Sequence, residues 1–255
     1  MDDILRKRFR ELLERATRGS YYIYTDFYSP AEAELAYEEA LRFTDGSPSA
    51  KRLVSAWGGQ ESCERVMLRF GDASEIGYEE PYPLCILRIS PKAPKFAEAL
   101  THRDFLGALM NLGIERYAIG DIFVTDSCAC AFVTEKLSGF ITENLDRVKH
   151  TAVMCELLNE LPAAMMPDIR PHTVNVSALR LDSLIAREFN FSREQTKKLF
   201  PAGRISVNGR VCTDPAKNPA GQDIISVHGH GKFVFYGVAN ETRSGRLCVN
   251  VGRYC

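Results

Sequence analysis

The strongest constraint on the fold is a hydrophobic period that switches repeatedly between residues 84 and 157. Short apolar or alternating stretches predict strands, and two longer stretches with apolar residues every three to four positions predict amphipathic helices. The predicted strands are at 84–89, 119–125, 129–134 and 151–157, and the predicted helices are at 95–112 and 137–148. The elements therefore follow the order β-α-β-β-α-β.

This order is the split unit of ferredoxin-like domains, which include the RNA-recognition fold. RNA-recognition domains stack bases on aromatic side chains of their central strands, and the candidates here are Phe123 and Phe132. Apolar residues flank both phenylalanines. We therefore expect both to pack in a core rather than to stack on bases.

The length of 255 residues, with 45% apolar and 25% charged residues, suits two or three domains. A helix at 2–18, a second helix that begins with Ser29-Pro30, and strands at 51–57 and 66–70 predict an N-terminal α/β unit. Prolines between 162 and 171 predict a linker. We expect an α+β protein with an N-terminal α/β domain at 1–75, a ferredoxin-like, RNA-recognition-like domain at 76–161, a small α+β domain at 175–240 and a C-terminal extension at 241–255.

Cysteine spacing and hydropathy exclude several classes. No run of about 18 apolar residues is present, and the opening MDDILRKRFRELLER is charged, so we expect a soluble, cytoplasmic protein that has no membrane partner. The eight cysteines, at 63, 85, 128, 130, 155, 212, 248 and 255, form no CxxC pair. This spacing predicts free thiols and no metal site or cofactor. A metal or redox role for the close pair Cys128 and Cys130 is the alternative.

Charge is distributed unevenly behind a net charge of −1. Residues 175–255 hold 12 Lys and Arg against 6 Asp and Glu, whereas residues 1–174 hold 20 against 27. A basic module on an acidic body is the arrangement expected of a nucleic-acid-binding domain. A solvated basic face without a ligand is the alternative.

The basic segment predicts two short helices followed by a small sheet. Ser177 is a candidate cap for the first helix, and Ser192 forms a capping box for the second. Arg193 and Lys197 stand one turn apart on the second helix, so they share a flank. Asn208-Gly209 is a strong hairpin signal. We expect these cations to bind the backbone of a folded RNA without reading base edges.

Short motifs carry a resemblance to a known family. The motifs LDSL at 181–184, SRE at 192–194, GRISVNG at 203–209 and GKF at 231–233 resemble the S-four (S4) domain, an RNA-binding module. The upstream motifs WGG at 57–59, ER at 64–65, HRDFLGAL at 102–109 and GDI at 120–122 resemble the bacterial YlmH family. The likeness therefore extends over nearly the full chain, with the S4 domain as its small C-terminal α+β domain.

The resemblance implies a non-enzymatic protein without a cofactor. It implies binding to the large ribosomal subunit, through rRNA and peptidyl-tRNA, in ribosome-associated quality control of stalled translation alongside other quality-control factors. The RNA-binding residues it implies are Arg180, Arg187, Ser192, Arg193, Lys197, Lys198, Arg204, Asn208, Arg210 and Lys232. His228 and Pro201 depart from the S4 pattern and predict weaker phosphate contacts at those two points.

An RNA-modifying enzyme, or a ribosome assembly factor, targeted by its S4 domain is one alternative. His102 close to Asp104 could transfer a proton. Consecutive helical residues point about 100° apart, however, and no nucleophile has a recognisable motif nearby. A hydrogen-bond cluster at a helix start, or a ribosome contact, is the preferred interpretation of these two residues.

A protein-interaction scaffold linked to cell division is the other alternative. This interpretation would gain support if Glu194 or Asp182 neutralised Arg193, Lys197 and Lys198. A metal site is a weaker option, because the pattern of its candidate ligands is sparse. Those candidates are His228, His230, Cys212 and Cys248.

Overall fold

The computed structural model describes residues 2–243 and 245–254. The chain forms two compact units, Met1–Met166 and Pro167–Cys255, here called the N-terminal and C-terminal units. Helices accompany antiparallel sheets in both units, so the fold is α+β, as the sequence predicts. The cysteine prediction for Cys255 lies outside the described residues, and none of the seven cysteines among those described forms a disulfide bond.

The first part of the N-terminal unit contains a three-stranded antiparallel sheet in the order β1-β3-β2. Its elements are α1 (Asp2–Gly19), β1 (Ile23–Tyr28), α2 (Pro30–Phe43), α3 (Ala50–Leu53), β2 (Val54–Trp57), β3 (Val66–Phe70) and α4 (Ala73–Ile76). Strand β1 is not predicted by its sequence, because an irregularity between Tyr24 and Phe27 interrupts its period. The strand predicted at 51–57 begins only at Val54, after the short helix α3.

The second part of the N-terminal unit confirms the β-α-β-β-α-β order. Its elements are β4 (Leu84–Pro91), α5 (His102–Asn111), β5 (Ile119–Thr125), β6 (Cys128–Thr134), α6 (Glu135–Asn144), the short β7 (Arg147–Val148) and β8 (Thr151–Leu158). The antiparallel sheet has the order β5-β6-β4-β8-β7, so the four main strands are arranged as in a ferredoxin-like domain. Helix α5 begins later than predicted because Pro94–Phe96 forms a separate 3-10 turn.

Both faces of this five-stranded sheet are covered by apolar side chains. One face packs against α5 and α6 through Phe105 and Ile141, both fully buried. The other face packs against the three-stranded sheet, where Phe27 meets Phe132. Phe132 is fully buried, and its ring lies edge-on to the partly buried Phe123 at 6.0 Å. The expectation that both phenylalanines belong to a core is confirmed.

Gly59 closes this interface between the two sheets. Its φ of +97° lies in the left-handed region, and a Cβ atom at this position would stand 2.2 Å from the Phe132 ring. Only glycine therefore combines this backbone conformation with so close an approach to an aromatic side chain. The WGG motif has a structural role here.

The C-terminal unit contains a six-stranded antiparallel sheet and two helices. Its elements are β9 (Ile169–Val176), α7 (Leu181–Glu188), α8 (Arg193–Leu199), β10 (Ile205–Val207), β11 (Arg210–Val211), β12 (Asp223–Val227), β13 (Gly231–Glu241) and β14 (Leu247–Tyr254). The strand order is β11-β10-β12-β13-β14-β9. Leu184, Ile185 and Phe200 from the helical region pack on Ile225 and Phe233 of the sheet.

Two predicted segment assignments are wrong in this unit. Residues 169–171, predicted as the end of the linker, belong to strand β9, and residues 247–254 form β14 rather than an extension outside the domain. The two strands pair from Leu247 with Val176 to Tyr254 with Ile169. Pro171 is tolerated because β9 is an edge strand, where one missing N–H group costs little. The boundary at 75/76 remains a prediction.

Two findings bear on the classes considered above. None of the described helices combines the length and the apolar content that a membrane crossing requires. Among residues 2–243 and 245–254, the His, Cys, Asp and Glu side chains form no group of three or more that could hold a metal ion.

Candidate nucleic-acid interface

Helix α7 begins at Leu181, but the predicted cap does not form. The residue before the helix is Arg180, so Ser177 does not cap it. The first N–H groups of α7 donate instead to backbone carbonyls of a distant loop, Leu181 to Lys217 at 3.0 Å and Asp182 to Pro215 at 3.1 Å. Loop residues therefore satisfy donors that a local hydroxyl usually satisfies.

Helix α8 begins with the predicted capping box. The Ser192 N–H donates to Gln195 Oε1 at 2.9 Å, and the Gln195 N–H donates to Ser192 Oγ at 3.2 Å. This reciprocal pair fixes the first turn, from which Arg193 extends as an exposed side chain, and Lys197 follows one turn later, also exposed. The role of Ser192 visible in the structure is thus to position its neighbours.

A cleft with a volume of about 570 Å³ lies beside these two helices. The end of β9 and the turn between β13 and β14 complete it, and we call it the basic cleft. Its only anionic side chain among the described residues is Asp182. Its cationic side chains are Arg180, Arg187, Arg193, Lys197 and Arg246.

Most of this positive charge has no internal counter-charge. Asp182 accepts two hydrogen bonds from Arg180, at 3.1 and 2.7 Å. Within the part of the chain that the structure describes, the other four cationic side chains of the cleft have no ion-pair partner, and all four are exposed. Four like charges on one concave surface raise the local positive potential and attract anions.

Other predicted RNA-binding residues have partners elsewhere in the unit. Lys198 forms an exposed ion pair with Glu194 at 2.8 Å, outside the lining of the cleft. Asn208 lies in the hairpin turn with φ +51°; its amide donates to Asp223 at 2.8 Å, and its carbonyl oxygen accepts from the Ile224 N–H at 2.9 Å. Asn208 therefore stabilises the turn, and any contact it makes with RNA stays a prediction.

Arg204, Arg210 and Lys232 also lie outside the cleft lining. Arg204 and Arg210 are exposed, and the Lys232 ammonium stands 5.0 Å from the centre of the Tyr254 ring. The structure thus gathers Arg180, Arg187, Arg193 and Lys197 in one cleft and leaves the other predicted residues around the unit.

Residues outside the S4 motifs, which were not predicted from the sequence, also line the basic cleft. Arg246 lines the cleft from the turn before β14, and Asn175 lines it from the end of β9. A local signal for β14 existed, because Val249 and Val251 alternate with polar residues as in a half-buried strand. Nothing local connects that strand to residues 169–176.

His102 and Asp104, which were considered for catalysis, have different environments in the N-terminal unit. Asp104 accepts hydrogen bonds from the Thr101 N–H at 2.8 Å and the Thr101 hydroxyl at 2.7 Å, and it pairs with Lys149 at 2.9 Å. These interactions, led by the Thr101 hydroxyl, lower the pKa of Asp104 to about 2. Burial and the nearby Arg116 lower the pKa of His102. Asp104 stabilises the start of α5, as the preferred interpretation expects.

Comparisons with known proteins agree with this architecture. Residues 78–161 match the family model described as "Putative RNA-binding domain in YlmH", and residues 179–225 match the model described as "S4 domain". Over 165 residues the chain is 29% identical to "Ribosome-associated protein quality control protein P2" of Bacillus subtilis (strain 168). That alignment covers 63% of this chain and 63% of the length of that relative.

A solved structure titled "Cell division protein ylmH from Streptococcus pneumoniae" is 23% identical, with a TM-score of 0.48, and covers 62% of this chain and 90% of that one. The likeness to YlmH rests on the two family models and the Bacillus relative instead. This chain therefore carries a domain that matches the putative RNA-binding domain of YlmH, followed by a domain that matches the S4 domain.

Proposed function

We propose that this chain is a non-catalytic RNA-binding protein of the cytoplasm. It binds the large ribosomal subunit, contacts both rRNA and peptidyl-tRNA, and acts with other factors in the quality control of stalled translation. The observation that carries the proposal is the basic cleft, with four cationic side chains that have no ion-pair partner in the described chain.

The chemistry of the cleft suits phosphate groups. Guanidinium and ammonium groups form charge-assisted hydrogen bonds with phosphate oxygens, and these contacts orient a protein on RNA without reading its sequence. Such contacts require cations that are exposed and not already neutralised, as Arg187, Arg193 and Lys197 are.

The ribosome is proposed as the partner because of the similarity to the Bacillus relative. The Bacillus relative is named as a ribosome-associated quality control protein, and the match covers parts of both chains rather than their full lengths. A folded RNA that presents closely spaced phosphates is the type of ligand that the cleft and this relative have in common.

Co-sedimentation with purified large subunits tests the proposal, with and without peptidyl-tRNA bound to the subunit. Replacing Arg193 and Lys197 together by alanine should weaken binding about 100-fold, because a hydrogen bond to a charged group contributes about 1.5 kcal/mol and two are removed. The control is the double alanine variant of Lys217 and Arg243, which are exposed cations outside the cleft.

The control should sediment with the subunit as the unmodified chain does. Equal binding by the two double variants would contradict the proposal, as would failure of the unmodified chain to sediment with the subunit. Recovered RNA should keep its mass, since no chemical step is proposed, and a mass change would favour the enzyme alternative.

A further inference from the structure

We propose that the basic cleft holds an unpaired nucleotide, one that projects from its helix, rather than the continuous backbone of a duplex. This inference rests on the proposed function and specifies the ligand of the same site. It also differs from the expectation drawn from the sequence, in which the S4 domain contacts only the backbone.

The size of the cleft is the first argument. Its volume of about 570 Å³ falls in the range of pockets that enclose small ligands, about 300–1,000 Å³. A duplex keeps its bases stacked inside the helix and offers proteins a broad surface. A cleft of this volume suits one nucleotide, with its base inside and with its own phosphate and those of adjacent nucleotides near the cations.

The uncharged part of the lining is the second argument. Side chains that bind a backbone are cationic or polar, whereas the lining of this cleft also includes the aromatic residue Phe191, beside Asn175 and Asn190. Amides can both donate to and accept from the edge of a base, and aromatic rings stack on bases. These groups are of use to a ligand that has an exposed base.

The Phe191 ring is held in place by its neighbours. It stacks on Phe189, with centroids 5.7 Å apart and an interplanar angle of 22°, and its centroid is 4.8 Å from that of His230 in an edge-on contact. A ring supported in this way loses little conformational freedom when a base contacts it.

The walls of the cleft are the third argument. The S4 match ends at residue 225, but Asn175 and Arg246 line the cleft from outside it. Pairing of β14 with β9, which places Cys248 opposite Asn175, holds these two parts together. The added strands thus convert a helical surface into a bounded cleft, which a duplex backbone would not need.

Two RNA hairpins of equal length and the same stem sequence test the proposal, one fully paired and one with a single bulged nucleotide. Fluorescence anisotropy with the intact 255-residue chain should show about tenfold tighter binding to the bulged hairpin. Arg246→Ala and Phe191→Leu should each reduce this preference to threefold or less. Arg243→Ala, which removes an exposed charge from the same turn but outside the cleft, should retain it.

The outcomes separate this inference from the function it depends on. Equal affinity for the two hairpins, or a preference unchanged in Arg246→Ala, would overturn the unpaired-nucleotide ligand and leave RNA binding intact. Failure to bind either hairpin would count against the proposed function as well. Arg246 is exposed, so its variant tests the idea even if Phe191→Leu disturbs the fold.

Discussion

The number of phosphates that the basic cleft neutralises can be measured from the salt dependence of RNA binding. Each phosphate contact with unpaired RNA contributes about −0.7 to the slope of log affinity against log salt concentration. Arg187, Arg193, Lys197 and Arg246 lack ion-pair partners in the described chain, so we expect a slope of about −2.8. Raising the salt from 50 to 200 mM should then weaken binding about 50-fold.

Single substitutions separate the contributors to this slope. Arg193→Ala should flatten it by about 0.7, and Lys217→Ala should leave it unchanged. Arg180→Ala should have a smaller effect, because Asp182 already occupies that guanidinium. Anisotropy titrations of the bulged hairpin at five salt concentrations supply the slopes. A slope near zero, or one that Arg193→Ala does not alter, would refute the assignment of these cations to phosphates.

Two further predictions concern the N-terminal unit, whose single tryptophan, Trp57, reports unfolding in urea by fluorescence. Gly59→Ala should lower the free energy of unfolding by about 3 kcal/mol or more, because it combines left-handed backbone strain with a clash against Phe132. The control Gly46→Ala, with φ +79° and open space around its Cβ, should lower it by about 1 kcal/mol. Equal costs would contradict the packing argument. Because the pKa of Asp104 is lowered from 3.8 to about 2, the stability that its carboxylate contributes should be complete above pH 4 and disappear as the pH falls through 2. The free energies of unfolding of the unmodified chain and of Asp104→Asn should therefore converge in acid. A constant difference between them would contradict the role of Asp104 at the start of α5.

Local patterns predicted the elements whose signals lie within a few residues of each other. The β-α-β-β-α-β order follows from hydrophobic periods that each span one element, and the Ser192 capping box is complete within four residues. The prediction for Ser177 was wrong because the acceptors at the start of α7 come from residues 215–217. A cap motif on its own cannot show which distant carbonyl competes with it.

The cleft shows the same division between local and distant information. Arg193 and Lys197 share a flank in any α-helix, so their proximity was predictable from spacing alone. Arg246 joins them only because β14 pairs with β9 and β13. Such register depends on side-chain packing across the whole sheet, so a prediction made from one segment at a time misses it.

The amino-acid sequence by itself determined the β-α-β-β-α-β order of the segment from 84 to 158, the basic character of the C-terminal segment and its S4 motifs, because periodicity, charge and motif spacing are properties of contiguous residues. Only the tertiary structure decided which cations share one cleft, which are neutralised by a neighbour, and that the strands on either side of the S4 motifs supply part of its lining. The physical reason is that strand pairing brings together residues about 70 to 85 positions apart, and the electrostatic environment of a side chain is set by neighbours in space rather than along the chain.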